Sequence, residues 1–164
     1  MGFDLHRLVS GRPLVLGGVA VDHHLGLEGH SDADVLLHAL ADALLGAVAL
    51  GDIGRHFPPG DDQYRGISSL ILLDKVKKML DERGWKVINV DTVIIAEEPQ
   101  LAPYVDQMGE KIAAVLAVSH CRISIKATTT EGLGVCGRKE AIAAQAVVLL
   151  EKEDKLCLTE HEVV

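Results

Sequence analysis

Residues 30–50 read HSDADVLLHALADALLGAVAL, and from Asp34 onward the stretch has the Ala, Leu and Val composition of a buried helix. Ser31 or Asp32 stands where a helix cap belongs, and the apolar run continues to about Leu50. Two polar residues, His38 and Asp42, sit inside it. Outward from this helix the chain alternates in period. PLVLGGVAV (13–21) reads as a strand with a glycine break, and GDIGRHFPPGDD (51–62) as a loop dense in Gly, Pro and Asp. ISSLILLDKVKKMLDERG (67–84) spaces its apolar residues helically and stops on Gly, whereas WKVINVDTVIIA (85–96) is β-branched and strand-like. PYVDQMGEKIAAVLAV (103–118) returns to helical period, and CRISIKATTT (121–130) alternates as a strand does. By periodicity EAIAAQAVVLL (140–150) fits either a buried strand or a helix. This order of elements predicts an α/β protein, an α+β two-layer sandwich with helices on one face of a mixed sheet.

The chain has 164 residues, 48% hydrophobic and 24% charged, enough for one domain with its own core, over 1–152, followed by a polar C-terminal tail, 153–164. Aromatic residues make up only 3%, so the core must be aliphatic. A net charge of −8 argues against nucleic acid and against an anionic membrane as partners, because both are bound by clustered Lys and Arg. No run has membrane-spanning character and no leader precedes the first motif, so a cytoplasmic protein is expected. Cys121, Cys136 and Cys157 are odd in number and far apart, which speaks against a disulfide framework or a cysteine metal site.

A histidine alone on a helix is either a satisfied core residue or a ligand. GFDLHR near the start changes the balance, because Asp4 and His6, two apart on a strand, point to one face. With His38 they would give three ligands and leave a fourth position open, the arrangement of a zinc ion that works on substrate. Asp34 and Asp42 flank His38 four residues to either side, as acceptors for its other N–H or as solvated helix charges. A second constellation is IKATTTEGLGVCGRKE (125–140), where threonine hydroxyls and glycine backbone suit an anion. Glu131 fits beside phosphate if Mg²⁺ lies between them. Lys126 and Arg138 either add positive charge there or mark an exposed strand end and turn. Neither GxxxxGK[ST] nor GxGxxG occurs, so a Walker or Rossmann site is unsupported.

GFDLHR, GHSDADVLLHALADALLGAVALGDIGRHFP, NVDTVIIAEEP, IKATTTEGLG and GRKEAIAAQAVVLL, in this order, resemble the 2-C-methyl-D-erythritol 2,4-cyclodiphosphate synthase family of the non-mevalonate isoprenoid pathway. The resemblance implies a homotrimer whose subunits pack their sheets around a threefold axis, with active sites between neighbours, and makes 140–150 a strand. It implies a phosphorus–oxygen lyase (EC 4.6.1.12) that converts 4-diphosphocytidyl-2-C-methyl-D-erythritol 2-phosphate to the cyclic diphosphate and CMP. Zinc, one per subunit, would sit on Asp4, His6 and His38, and Mg²⁺ or Mn²⁺ on Glu131 would bridge the diphosphate. His30 and Ser31 would bind the 2-phosphate side, and His30 and Thr129 would stabilise the pentacoordinate transition state. Asp52, Ile53 and Gly54 would hold methylerythritol, aided by Phe57, Pro58, Pro59, Gly60 and Asp61. Ala96, Glu97, Glu98, Pro99, Gln100, Leu101 and Ala102 would form the cytidine pocket with Ala127, Thr128 and Thr129. Thr130, Val135 and Arg138 complete the substrate positions, and a prenyl diphosphate is expected in a central channel.

The chain departs from the family pattern at three places. Fewer residues precede GFDLH, which implies a shortened first strand. Pro99-Gln100 replaces a common Pro-Lys, with Glu97 and Glu98 adding negative charge, and Val135 is often larger. Two other classes share these residues: a zinc phosphodiesterase or pyrophosphatase, and a non-catalytic metal-binding trimer.

Overall fold

The computed structural model describes residues 1–153, so the expected tail from 154 on, with Cys157, lies outside the described residues. Strands β1 (Gly2–Val9), β2 (Leu14–Leu16), β3 (Val19–Val21) and β4 (Gly26–Leu27) precede helix α1 (Val35–Ala47). The chain continues through the short helix α2 (Ile53–His56), α3 (Ser69–Asp81), β5 (Trp85–Ile95), α4 (Val105–Leu116), β6 (Ile123–Thr128), the short α5 (Gly134–Gly137) and β7 (Ala141–Lys152). One sheet runs β4-β1-β7-β5-β6, with β5 and β6 parallel and the other pairs antiparallel. The mixed sheet and helical layer expected from the sequence are present.

Local chemistry explains where the elements differ from their sequence outlines. The glycine break in 13–21 is a full reversal: Gly17 and Gly18 take φ of +57° and +72°, and β2 folds back on β3 as a hairpin. The ambiguous apolar run becomes β7 because β1 and β5 bind it on both sides, and Ala141 to Ala144 are all buried there. The loop 51–62 contains α2, capped by Asp52 through the Arg55 N–H, and the glycine-rich stretch after β6 contains α5.

The cap of α1 is neither Ser31 nor Asp32 but Asp34, whose Oδ1 accepts the Leu37 N–H at 3.1 Å. The same fully buried carboxylate accepts from Gly17 N at 3.0 Å and Gly18 N at 2.7 Å, so it fastens the hairpin to the helix start. Burial pushes its carboxyl up to about 6 against the pull of those three N–H groups. The core between helices and sheet is aliphatic, with Leu36, Leu37, Leu40, Leu44, Leu73, Leu80 and Ile94 fully buried. No helix among the described residues is long and apolar enough to cross a membrane.

Strand β1 has two unlike faces. Gly2, Asp4 and His6 turn toward α1, and Phe3 and Leu5 turn away, 51% and 42% exposed; further along β7, where it pairs with β5, Val147 and Leu149 are 53% and 57% exposed. A Cβ at Gly2 would stand 2.0 Å from the Ala39 carbonyl oxygen and 2.6 Å from the Ala43 nitrogen. Only glycine lets the strand lie this close to the helix. Gly2→Ala should therefore destabilise the fold by about 1–3 kcal/mol, as overpacking does. An unchanged urea midpoint would show that the strand can retreat without loss.

Candidate metal centre and substrate clefts

Strand alternation brings Asp4 and His6 to the helix side of β1, and α1 presents His38 one turn past its cap. Asp4 Oδ2 lies 2.7 Å from His6 Nε2 and 3.0 Å from His38 Nδ1, and the two nitrogens are 3.1 Å apart. The edge of a zinc tetrahedron with bonds near 2.0 Å is about 3.3 Å, so three donors are already placed as one face of such a site. His6 Nδ1 donates to the Glu28 carbonyl at 2.6 Å, and a carbonyl can only accept. The proton is thereby fixed on Nδ1 and the Nε2 lone pair is left for the cluster. An O, N, N donor set with a fourth direction open suits a divalent cation.

Charge balance within the triad points the same way. Burial disfavours the Asp4 carboxylate, but His38 and His6, which in their protonated forms donate to it and carry positive charge, outweigh burial and hold the carboxyl well below its usual range. Burial likewise disfavours a charged His6, yet the Asp4 carboxylate raises it above its ordinary value. The pocket thus favours positive charge at its centre.

Neither flanking aspartate touches the imidazole. Asp34 is occupied as the helix cap, and Asp42 Oδ1 accepts the Ile53 N–H at 2.7 Å, tying α2 to α1. The groups at His38 Nε2 are instead the hydroxyls of Ser69, at 3.0 Å, and Ser31, at 3.1 Å. Ser69 begins α3 and meets His38 only because α3 packs on α1, a contact no local spacing reveals. A cleft of about 250 Å³ opens over the triad, lined also by His30, Ser31, Ile53, Gly54, Phe57 and Pro59 among the expected residues. Tyr64 and Leu72 join this wall without having been expected there, and Asp42 lines it without touching His38. His30 Nε2 donates to the Asp61 carbonyl at 2.9 Å, and Asp52 serves as the α2 cap. Pro58 and Gly60 belong to the same loop but not to the lining.

The second constellation forms a different cleft, of about 490 Å³, bounded by Ala96, Glu97, Pro99, Gln100, Leu101, Ala102, Ala127, Thr128 and Thr129. The two clefts share no lining residue, so His30 and Thr129 face different openings of one chain. Glu97 does not project its charge into this cleft freely. Its Oε1 accepts Thr130 N at 2.9 Å, Thr130 Oγ1 at 3.2 Å and Gly132 N at 3.2 Å, which pins the threonine turn and lowers the carboxyl. Glu98 pairs with Lys139 at 2.6 Å.

The expected extra positive charge is also spent elsewhere, since Lys126 binds Asp91 at 2.7 Å and Arg138 binds Glu140 at 2.8 Å. Glu131 is exposed at φ +53°, with Thr129 Oγ1 donating to it at 2.9 Å. Val135 lines neither cleft but a third depression with Leu5, Arg7 and Lys139.

An α+β sandwich with an Asp-His-His triad at a strand–helix junction and a threonine-lined cleft is the design of a metal-site enzyme acting on an anionic ligand. The chain belongs to the YgbB family, whose profile it matches over residues 1–151. It is 60% identical over 151 residues to the 2-C-methyl-D-erythritol 2,4-cyclodiphosphate synthase of Syntrophomonas wolfei, covering 92% of this chain and 96% of that one. The bifunctional IspDF of Campylobacter jejuni superposes with a TM-score of 0.90 at 42% identity, covering 93% of this chain and 42% of that longer one. The CDP complex of Plasmodium falciparum IspF gives 0.82 at 31% identity, covering 93% and 94%.

Two outcomes test the metal centre. His38→Ala should abolish zinc uptake while far-UV circular dichroism keeps its helical signal, because Ala is a strong helix former. Retention of one zinc per chain would remove His38 from the ligand set. Zinc affinity should also fall as pH drops through the raised His6 value, since the metal must then displace a proton from Nε2. The loss approaches about tenfold per pH unit for one displaced proton, and a flat titration would contradict the assignment.

Proposed function

We infer that this chain cyclises 4-diphosphocytidyl-2-C-methyl-D-erythritol 2-phosphate to 2-C-methyl-D-erythritol 2,4-cyclodiphosphate with release of CMP. The observation that carries this reading is 60% identity, nearly end to end, with a synthase of that name, together with the intact triad. The substrate's own 2-phosphate oxygen attacks the β-phosphorus, and the bond to the CMP oxygen breaks. The nucleophile is already anionic, so the protein needs to position and neutralise rather than to abstract a proton.

Asp4, His6 and His38 would hold zinc, which would supply Lewis acidity, and Glu131 would hold Mg²⁺ or Mn²⁺, which would supply positive charge to offset that of the diphosphate. His30 and Ser31 hold the 2-phosphate, and His30 with Thr129 meets the charge that develops on the pentacoordinate phosphorus. Asp52, Ile53 and Gly54 fix the methylerythritol, with the loop from Phe57 to Asp61 over it. The second cleft takes cytidine, largely through backbone groups of 96–102 and 127–129; that a Plasmodium relative forms a complex with CDP supports a cytidine nucleotide as the ligand. Thr130, Val135 and Arg138 complete the substrate side, and residues 1–152 act as one synthase domain in the cytoplasm.

Both halves must meet for this chemistry, and within one chain they open separately. A threefold ring solves this, because its heterologous interfaces set one subunit's triad against a neighbour's nucleotide cleft. The exposed apolar residues Phe3, Leu5, Val147 and Leu149 supply a sheet face for that ring, and the channel they would enclose suits a prenyl diphosphate.

Phosphorus NMR of the product separates this reading from hydrolysis, since a linear monophosphate in place of the cyclic diphosphate would overturn it. The assembly has its own test. His38→Ala and Glu131→Ala should each be nearly inactive, yet after unfolding and refolding together they should recover roughly a quarter of wild-type activity, from random pairing of intact halves. Mixed trimers as inactive as their parents would place the whole site within one chain. Glu131→Gln should keep zinc and lose the Mg²⁺ or Mn²⁺ dependence of the rate, and loss of zinc would move Glu131 to the other site.

A further inference from the structure

The hydroxyl of Ser69 lies between His38 and Asp32, a residue with no part in the site as described so far. As a carboxylate Asp32 can only accept, and it accepts twice from Ser69: Oδ2 takes the Ser69 N–H at 3.0 Å and Oδ1 takes the hydroxyl. Ser69 has one hydroxyl proton, and Asp32 holds it. Ser69 Oγ can therefore only accept from His38 Nε2, 3.0 Å away, which requires the ring proton to be on Nε2. Asp4 is acceptor-only as well, and its Oδ2 lies 3.0 Å from His38 Nδ1, so in the absence of a cation it competes with Ser69 for the one proton of a neutral ring. With that proton on Nε2, Nδ1 turns a lone pair toward Asp4 Oδ2 and toward His6 Nε2 at 3.1 Å, an arrangement that a cation among the three satisfies.

Ser31 cannot set the proton in this way. Its Oγ accepts the Ala33 N–H at 3.1 Å, but its own proton has no acceptor-only partner that fixes its direction. Ser69 is 1% exposed, so little water competes for the contact.

We propose that Ser69 and Asp32 are positioning residues for the metal centre, a carboxylate–hydroxyl–imidazole relay that holds His38 in its Nε2–H tautomer and aims Nδ1 at the cation. The proposal rests on reading Asp4, His6 and His38 as metal ligands. The relay mirrors the Glu28 carbonyl behind His6, so each imidazole has an acceptor at its outer nitrogen and turns its inner one toward Asp4 and the place a cation would take. Asp32 also accepts the Asp34 N–H at 3.4 Å, which joins the relay to the cap of the helix that carries His38.

The test is the ring-nitrogen NMR spectrum of the metal-stripped full chain carrying Asp4→Ala, which removes the carboxylate competing for a proton on Nδ1, labelled with ¹⁵N in histidine and held above about pH 8, where an ordinary imidazole is neutral. His38 should show the Nε2–H tautomer in this background and a mixture once Ser69→Ala is added. Zinc affinity, measured by competition with a chelator, should fall on the order of 10-fold or more in Ser69→Ala and Asp32→Ala, and Ser69→Thr, which keeps the hydroxyl, should restore both readouts. A folded Ser69→Ala with unchanged tautomer and unchanged zinc affinity would overturn the proposal. So would an Nδ1–H tautomer in the Asp4→Ala chain with Ser69 intact. Wild-type protein that takes up no zinc, with the Nε2–H tautomer present in the Asp4→Ala chain, would refute the metal reading of the triad while upholding the tautomer assignment.

Discussion

Strand β1 runs so close to α1 that its first glycine touches the helix backbone at Ala39 and Ala43. That distance decides what the next two inward residues can reach. A side chain at Gly2 would lift the strand, and Asp4 and His6 would then stand off from His38 by more than the roughly 3 Å at which three ligands can share one ion. The alanines of β7 beneath the helix serve the same closeness, since Ala144 and Ala146 are buried between β1 and β5 on the face the helix covers. The aliphatic, aromatic-poor core is thus what a strand laid flat on a helix requires, as well as a source of stability.

Management of negative charge is the second constraint. A chain of net charge −8 that takes a diphosphate must keep its own carboxylates from facing the ligand. Glu97 is turned inward on the threonine loop by two N–H groups and a hydroxyl, and Glu98 is neutralised by Lys139. Glu97, a charge that looks unfavourable beside a cleft for an anionic ligand, builds the threonine turn that borders it.

The helices, the strands and the triad were legible in the sequence because each rests on a local period or a short spacing. Asp4 and His6 two apart on a strand, and His38 inside an apolar helix, announce themselves. The alternation of 140–150 could not distinguish a helix from a strand buried on both sides, and pairing with two neighbours decided it. The cap of α1 was misplaced because Ser31, Asp32 and Asp34 all have capping side chains, and only tertiary contact with the Gly17–Gly18 turn selects Asp34. The partners of His38 were invisible for a related reason. An aspartate one turn away is the obvious candidate, yet α3 brings serine from 31 residues further along.

The two-faced character of β1 has an evolutionary consequence. Its odd positions, Phe3 and Leu5, are apolar and exposed, and its even ones hold Asp4 and His6. Insertion or deletion of a single residue between Gly2 and His6 would exchange the two sets, turning phenylalanine into the pocket and carboxylate onto the open sheet face. Substitutions can be tried there one at a time, but a change of length alters both faces at once. Drift in this segment should therefore proceed by point replacement alone, with its length constant among descendants that keep the activity.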